Sequence, residues 1–116
     1  MGFRGNVPIY VQIADSIKEQ VIRGAIPEGD KLGSVREYAV LYEVTALTVQ
    51  RAVQLLENEG VIQTRKGVGS FVAPNAAATL ADRMVSQRVR EFVHGMKNMG
   101  VAHESIIALV EEELKR

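Results

Sequence analysis

Apolar residues recur at Ile9, Ile13, Ile17 and Val21, with Gln12, Asp15, Lys18, Glu19 and Arg23 between and after them. A period of four puts them along one side of a helix. Pro8 opens that helix, where the first turn has no use for the missing N–H, and Gly24 can close it with a left-handed residue. Ile26-Pro-Glu-Gly-Asp30 reads as a turn, and Lys31-Leu32 as no more than a short strand. Ser34-Val-Arg-Glu37 has the Ser-x-x-Glu spacing of a capping box and predicts a second helix to about Tyr42. After a tight connection at Glu43-Val44, Thr45 caps a third helix over 45–59. Its buried stripe is Val49, Ala52, Val53 and Leu56, and its opposite face shows Leu47, Gln50, Arg51 and Gln54. At Gly60 the period changes. Residues 61–65 and 70–73 read as two strands of a hairpin, joined by Lys66-Gly-Val-Gly69.

Pro74-Asn-Ala-Ala-Ala78 reads as a linker and divides the chain into a domain over 1–75 and a tail over 76–116. In the tail a long apolar stripe runs through Leu80, Met84, Val85, Val89, Phe92, Val93, Met96 and Met99 to Gly100. A shorter one follows at Ile106, Ile107, Val110 and Leu114. Two helices of that size make no core of their own, and a stripe of large apolar residues left in water invites aggregation. Pairing with a second copy would bury it as a small helical bundle. Leu80, Met84, Val85, Val89, Phe92, Val93, Met96, Ile107 and Val110 are therefore the expected homodimer interface.

The order helix, short strand, two close helices and hairpin is that of a winged helix-turn-helix. In such a fold the second helix of the close pair normally enters the DNA major groove. The expected fold class is mainly α with a small β hairpin: a winged helix-turn-helix followed by a two-helix dimerisation tail. A wing tip that approaches a phosphate backbone needs cations, and it needs glycines so that main-chain N–H groups come close. Arg65, Lys66, Gly67 and Gly69 meet both needs.

Residues 7–73 resemble the DNA-binding domain of GntR-type bacterial transcription regulators. The motifs that carry the resemblance are Pro8-Ile-Tyr-Val-Gln-Ile13, Gly29-Asp-Lys-Leu-Gly-Ser-Val-Arg-Glu37, Thr48-Val-Gln-Arg-Ala52, Leu56-Glu-Asn-Glu-Gly60 and Gly67-Val-Gly-Ser-Phe-Val72. The short tail is similar to that of the YtrA type, the smallest branch. The resemblance implies DNA contacts by Arg36 at the start of the second helix, by Thr45, Thr48, Gln50 and Arg51 in the recognition helix, and by Lys66 and Gly67 in the wing. It implies a repressor that binds an inverted repeat as a homodimer. The chain departs from the family pattern at Gly33, where proline is usual, at Tyr38, where leucine is common, and at Ala46 and Leu47, where polar or basic residues are frequent. Neither Ala46 nor Leu47 has a side-chain donor, although Leu47 can meet a thymine methyl.

Charge changes this picture in one respect. There are 14 basic and 14 acidic side chains, and residues 1–75 hold 8 of each. The chain is not broadly basic, so DNA binding requires the cations to gather on one face. A winged helix that serves only as a protein-interaction module is the alternative that zero net charge, Ala46 and Leu47 support. The chain has no cysteine, which fits a reducing cytosol and a cytoplasmic protein. Residues 1–10 do not read as a secretion signal, so none is expected, and there is no apolar run of membrane-spanning length. The chain also lacks a phosphate-cradling loop, a nucleophile elbow and a His-Glu-x-x-His motif, so no enzymatic activity and no cofactor are expected. His94 and His103 lack the neighbours of a metal site. The tail leaves no room for an enclosed effector cavity, so a small-molecule effector, whose existence the sequence leaves open, would bind at a subunit interface or between tail and winged helix.

Overall fold

The computed structural model describes residues 2–116. The helices of the first part are α1 (Ile9–Ile22), α2 (Val35–Tyr42) and α3 (Ala46–Asn58). The antiparallel strands β1 (Ile62–Arg65) and β2 (Gly69–Val72) follow, with Ile62 opposite Val72 and Arg65 opposite Gly69. Next come α4 (Ala76–Leu80), a π-helical stretch (Ala81–Val85), α5 (Ser86–Asn98) and α6 (His103–Leu114). The chain forms two compact units, one ending at Ala81 and the other beginning at Asp82. Among the described residues, no helix is long and apolar enough to cross a membrane.

The first unit is built around one apolar core. Ile13, Ile17 and Val21 of α1 meet Val49, Ala52 and Leu56 of α3, and Ile62 and Val72 of the hairpin close the cluster. Ile9, the first member of the α1 stripe, is exposed. Both halves of the predicted capping box are present: Glu37 N–H donates to Ser34 Oγ at 3.1 Å, and Ser34 N–H donates to Glu37 Oε1 at 2.9 Å. The Ser34 donors hold the Glu37 carboxyl below its usual range. A lowered carboxylate favours the fold above its unfolded pKa, so this contribution is present at neutral pH and fades as acidification passes through the lowered value.

Lys31 forms a bridge with Phe71, with Leu32 N–H donating to Ser70 O at 2.8 Å and Val72 N–H donating to Asp30 O at 2.9 Å. The expected short strand is thus reduced to a single bridge at Lys31, which lies beside β2 of a two-stranded sheet. The two departures at Gly33 and Tyr38 belong together. Tyr38 lies in the core edge, stacked on Tyr42 at 6.0 Å between ring centroids. A Cβ at position 33 would stand 3.4 Å from the Tyr38 ring. A side chain at 33 would therefore pack directly against the Tyr38 ring. Burial pushes the Tyr38 phenol up, and the Gly33 backbone offsets part of that.

The connection between α2 and α3 turns on Glu43, which holds left-handed backbone at φ 56°. Val44 N–H reaches back to Ala39 O at 3.0 Å and closes the turn. A non-glycine residue there carries strain, on the order of 1–3 kcal/mol, whereas glycine carries none and costs only unfolded-state entropy. Glu43→Gly should therefore raise stability by about 1 kcal/mol, read as a higher urea midpoint at unchanged slope.

Two sequence expectations are corrected here. The first compact unit runs to Ala81 and does not stop at 75, because α4 packs against α1. Leu80, expected in the dimer seam, is 7 % exposed and lies with Ala76 in the core of the first unit. Continuous helical periodicity could not show this, because the helix changes to π geometry right after Leu80 and the residue phase changes with it.

In the second unit, Met84, Val93, Met96 and Ile106 are half-buried, while Val85, Val89, Phe92, Ile107 and Val110 are exposed. Among the described residues, none from Asp82 onward is buried. The polar side of α5 is tied to itself, with Gln87 donating to Glu91 at 2.8 Å and Arg90 donating to Gln87 at 2.9 Å.

Candidate nucleic-acid interface

The predicted contact residues sit on three elements of the first unit. Arg36 is the second residue of α2 and is exposed. Thr45 is the N-cap of α3: its Oγ1 accepts from Thr48 N–H at 3.3 Å and shares a hydrogen bond with Thr48 Oγ1 at 3.0 Å. Thr45 therefore holds the start of the helix, and it ties down the Thr48 hydroxyl. Leu47, Gln50 and Arg51 stand exposed on one side of α3, with Gln54 beside them, opposite the buried Val49, Ala52 and Leu56. A helix that buries one stripe and presents Leu, Gln and Arg on the other suits a groove.

The wing turn is three residues long, Lys66 to Val68, and Val68 N–H donates to Arg65 O at 2.9 Å. Gly67 is the third residue of the four-residue turn Arg65–Val68 that this bond closes, with φ +77°. That φ at the third turn position is the type II geometry, which glycine alone adopts without strain. A Cβ at Gly67 would meet nothing within 4 Å, so glycine is required there by backbone conformation and leaves main chain open to an approaching surface. Across the hairpin, Thr64 and Ser70 hydroxyls share a hydrogen bond at 3.1 Å.

Arg36, Arg51, Arg65 and Lys66 are all exposed, and none takes part in an ion pair among the described residues. Lys18 behaves differently. It is bound to Glu59 and lies 3.9 Å from Asp15, linking α1 to the end of α3. Thus the cations on α2, α3 and the wing remain free to meet an outside anion, which is the arrangement that a neutral chain needs. A cleft of about 270 Å³ lies between Ser34 and Val35 of α2, Val53 of α3 and Val68 to Ser70 of the wing.

The match to the bacterial regulatory proteins of the gntR family covers residues 9–72, the stretch from the start of α1 to the end of β2. The chain belongs to that family. Among its GntR-type relatives is the HTH-type transcriptional repressor YtrA of Bacillus subtilis, 34 % identical over 94 % of this chain and 86 % of the relative. The YtrA likeness therefore extends through the tail. A GntR family transcriptional regulator from Listeria monocytogenes has a solved structure similar at a TM-score of 0.85, with 35 % identity, over 95 % of this chain and 98 % of that one. The DNA-binding domain of AraR, solved in complex with operator ORR3, is similar at a TM-score of 0.57 and 26 % identity, over 63 % of this chain and 88 % of that one. The winged helix-turn-helix expected from the sequence is the fold of this GntR family member.

Gln12 escaped the sequence reading as a structural residue. It is buried, and its amide accepts from Arg4 N–H and donates to Arg4 O and Val7 O, each at 2.8 Å. It fastens the segment before α1 to the core. The signal was a glutamine one position before Ile13 on an otherwise apolar side of α1, where an unsatisfied amide would be costly.

Proposed function

We propose that this protein is a transcription repressor that binds an inverted-repeat operator as a homodimer, with one winged helix on each half-site. The observation that carries the reading is the set of unpaired, exposed cations on α2, α3 and the wing, beside an α3 face of Leu47, Gln50 and Arg51. Phosphate contacts position such a domain, and base-edge contacts specify the sequence. Arg36, Arg65 and Lys66 take the phosphate role. Gln50 and Arg51 read base edges, and Leu47 meets a thymine methyl. Thr45 and Thr48 hold the helix start against the backbone, where Gly67 also comes close. The similarity to an operator-bound AraR domain and to a relative named as a repressor supports the same reading.

The homodimer rests on the tail. Val85, Val89 and Phe92 are 43–56 % exposed at successive turns, and Ile107 and Val110 are exposed on α6. The two tail helices bury no residue of their own, so a second copy is the source of a core. Met84, Val93 and Met96, already half covered, would complete that seam.

The test is a mobility-shift titration with duplex from upstream of the protein's own gene. Arg36→Ala and Lys66→Ala should each weaken binding with little change in melting temperature. Each should reduce the salt dependence of log K by about one unit per half-site, the signature of a lost phosphate contact. Unchanged affinity in both variants would favour a protein-interaction module instead.

A further inference from the structure

The hairpin and the Lys31 bridge bring a cation to the wing from a distant part of the chain. Residues alternate between the two faces of a strand. Ile62 and Val72 point into the core, so Gln63, Arg65, Gly69 and Phe71 belong to the other face, and Lys31, paired with Phe71, joins them. Arg65 lies opposite Gly69, which has no side chain to meet it. The Arg65 guanidinium instead leans over the Phe71 ring, 4.6 Å from its centroid. Such cation–π contact holds the charge in one place without neutralising it.

Lys31 fills the space over Gly69. A Cβ at position 69 would stand 2.5 Å from Lys31 Cε and 3.4 Å from its Nζ. Gly69 also has φ +142°, which disfavours any side chain there. Its absent side chain is thus the seat of the Lys31 stem. Two cations, Lys31 and Arg65, converge on the Gly69–Phe71 edge, one seated over the glycine and one stacked on the ring. Glu37 is exposed and already engaged by Ser34, and Lys31 is the smallest of the influences on its carboxyl. Like charges held together on an exposed edge repel unless an anion lies between them.

We infer that Lys31 is a DNA phosphate contact: with Arg65 it forms a two-cation clamp on the outer face of the wing, seated by Gly69 and Phe71. The inference rests on the DNA-binding reading above. It assigns a role to a residue outside the helix-turn-helix and outside the hairpin. It also gives Gly69 and Phe71 a common purpose, since one makes room for the lysine stem and the other holds the arginine.

The experiment compares full-length parent, Lys31→Met, Lys31→Arg and Lys66→Ala. Methionine keeps an unbranched stem over Gly69 and removes the charge. Binding is measured over a range of salt to two duplexes, one from upstream of the protein's own gene and one with the same bases scrambled. A phosphate contact predicts that Lys31→Met lowers the salt slope by about one unit per half-site on either duplex, at parental melting temperature, and that Lys31→Arg restores it. If Lys31→Met keeps the parental slope while Lys66→Ala loses its unit, the clamp is wrong and the DNA-binding reading stands. A loss confined to the upstream duplex means that Lys31 reads bases, which overturns the phosphate assignment. If the parent binds neither duplex, both readings fall together.

Discussion

A chain cut after Ala81 should stay folded, sediment as a monomer and bind an inverted-repeat duplex about 10²–10⁴-fold more weakly than the full chain. The cut follows the boundary between the two compact units and leaves α4 on the core. No predicted DNA contact is removed. What is lost is linkage: once one half-site is bound, a dimer presents its second recognition helix at high effective concentration, and a monomer does not. The position of the cut matters. A chain ending at 75 also loses Ala76 and Leu80 from the core, and burial of a leucine side chain contributes about 1.5–3 kcal/mol, so that shorter chain should melt earlier. Phe92→Asp in the full chain should act on association alone, because a carboxylate in an apolar seam must be desolvated. Sedimentation equilibrium and duplex titration on the same samples decide the matter. A truncated chain that stays dimeric, or that binds the repeat as tightly as the parent, removes the tail from the dimer.

Leu56→Ala should lower the stability of the first unit by about 2–5 kcal/mol, the usual range for a buried leucine whose surroundings cannot collapse. Leu56 is fully buried on the inner face of the recognition helix, in the core it shares with α1 and the hairpin. The side chain touches no predicted contact residue's exposed face, so the variant should regain near-parental DNA affinity well below its melting temperature. Denaturant unfolding and low-temperature titration separate the two effects. Affinity that stays low while the domain is fully folded would mean that Leu56 sets the pose of α3 as well as its stability.

Much of this architecture could be read from the chain because the decisive signals are local. The capping box at Ser34 and Glu37, the cap at Thr45 and the change of period at Gly60 act within a few residues and depend on no distant partner. What escaped depends on through-space neighbours. Leu80 fits a tail stripe by spacing, but α4 turns it onto α1 before the helix changes pitch. Gln12 looks like one polar residue among several until Arg4 and Val7 are brought beside it. Lys31 is remote from the wing in sequence, and only the bridge to Phe71 places it there. Glu43 gives no warning of left-handed backbone, which is more often announced by glycine or asparagine. Among the candidate contacts, the exposed side of α3 was legible from the helical period, whereas only the fold shows that Glu59, at the end of α3, is turned to Lys18 of α1.

The lack of any buried residue beyond Asp82 has a consequence for dosage. If the tail gains its core from a second copy, as proposed, its order follows the dimer, whose amount falls faster than that of the protein by mass action. Halving the amount of protein then removes more than half of the operator-competent species. For the proposed dimeric repressor, dilution by growth would then relieve the operator more steeply than in proportion, with no inducer required. The fraction of ordered tail, followed by helical circular dichroism across a dilution series, should fall in step with the dimer.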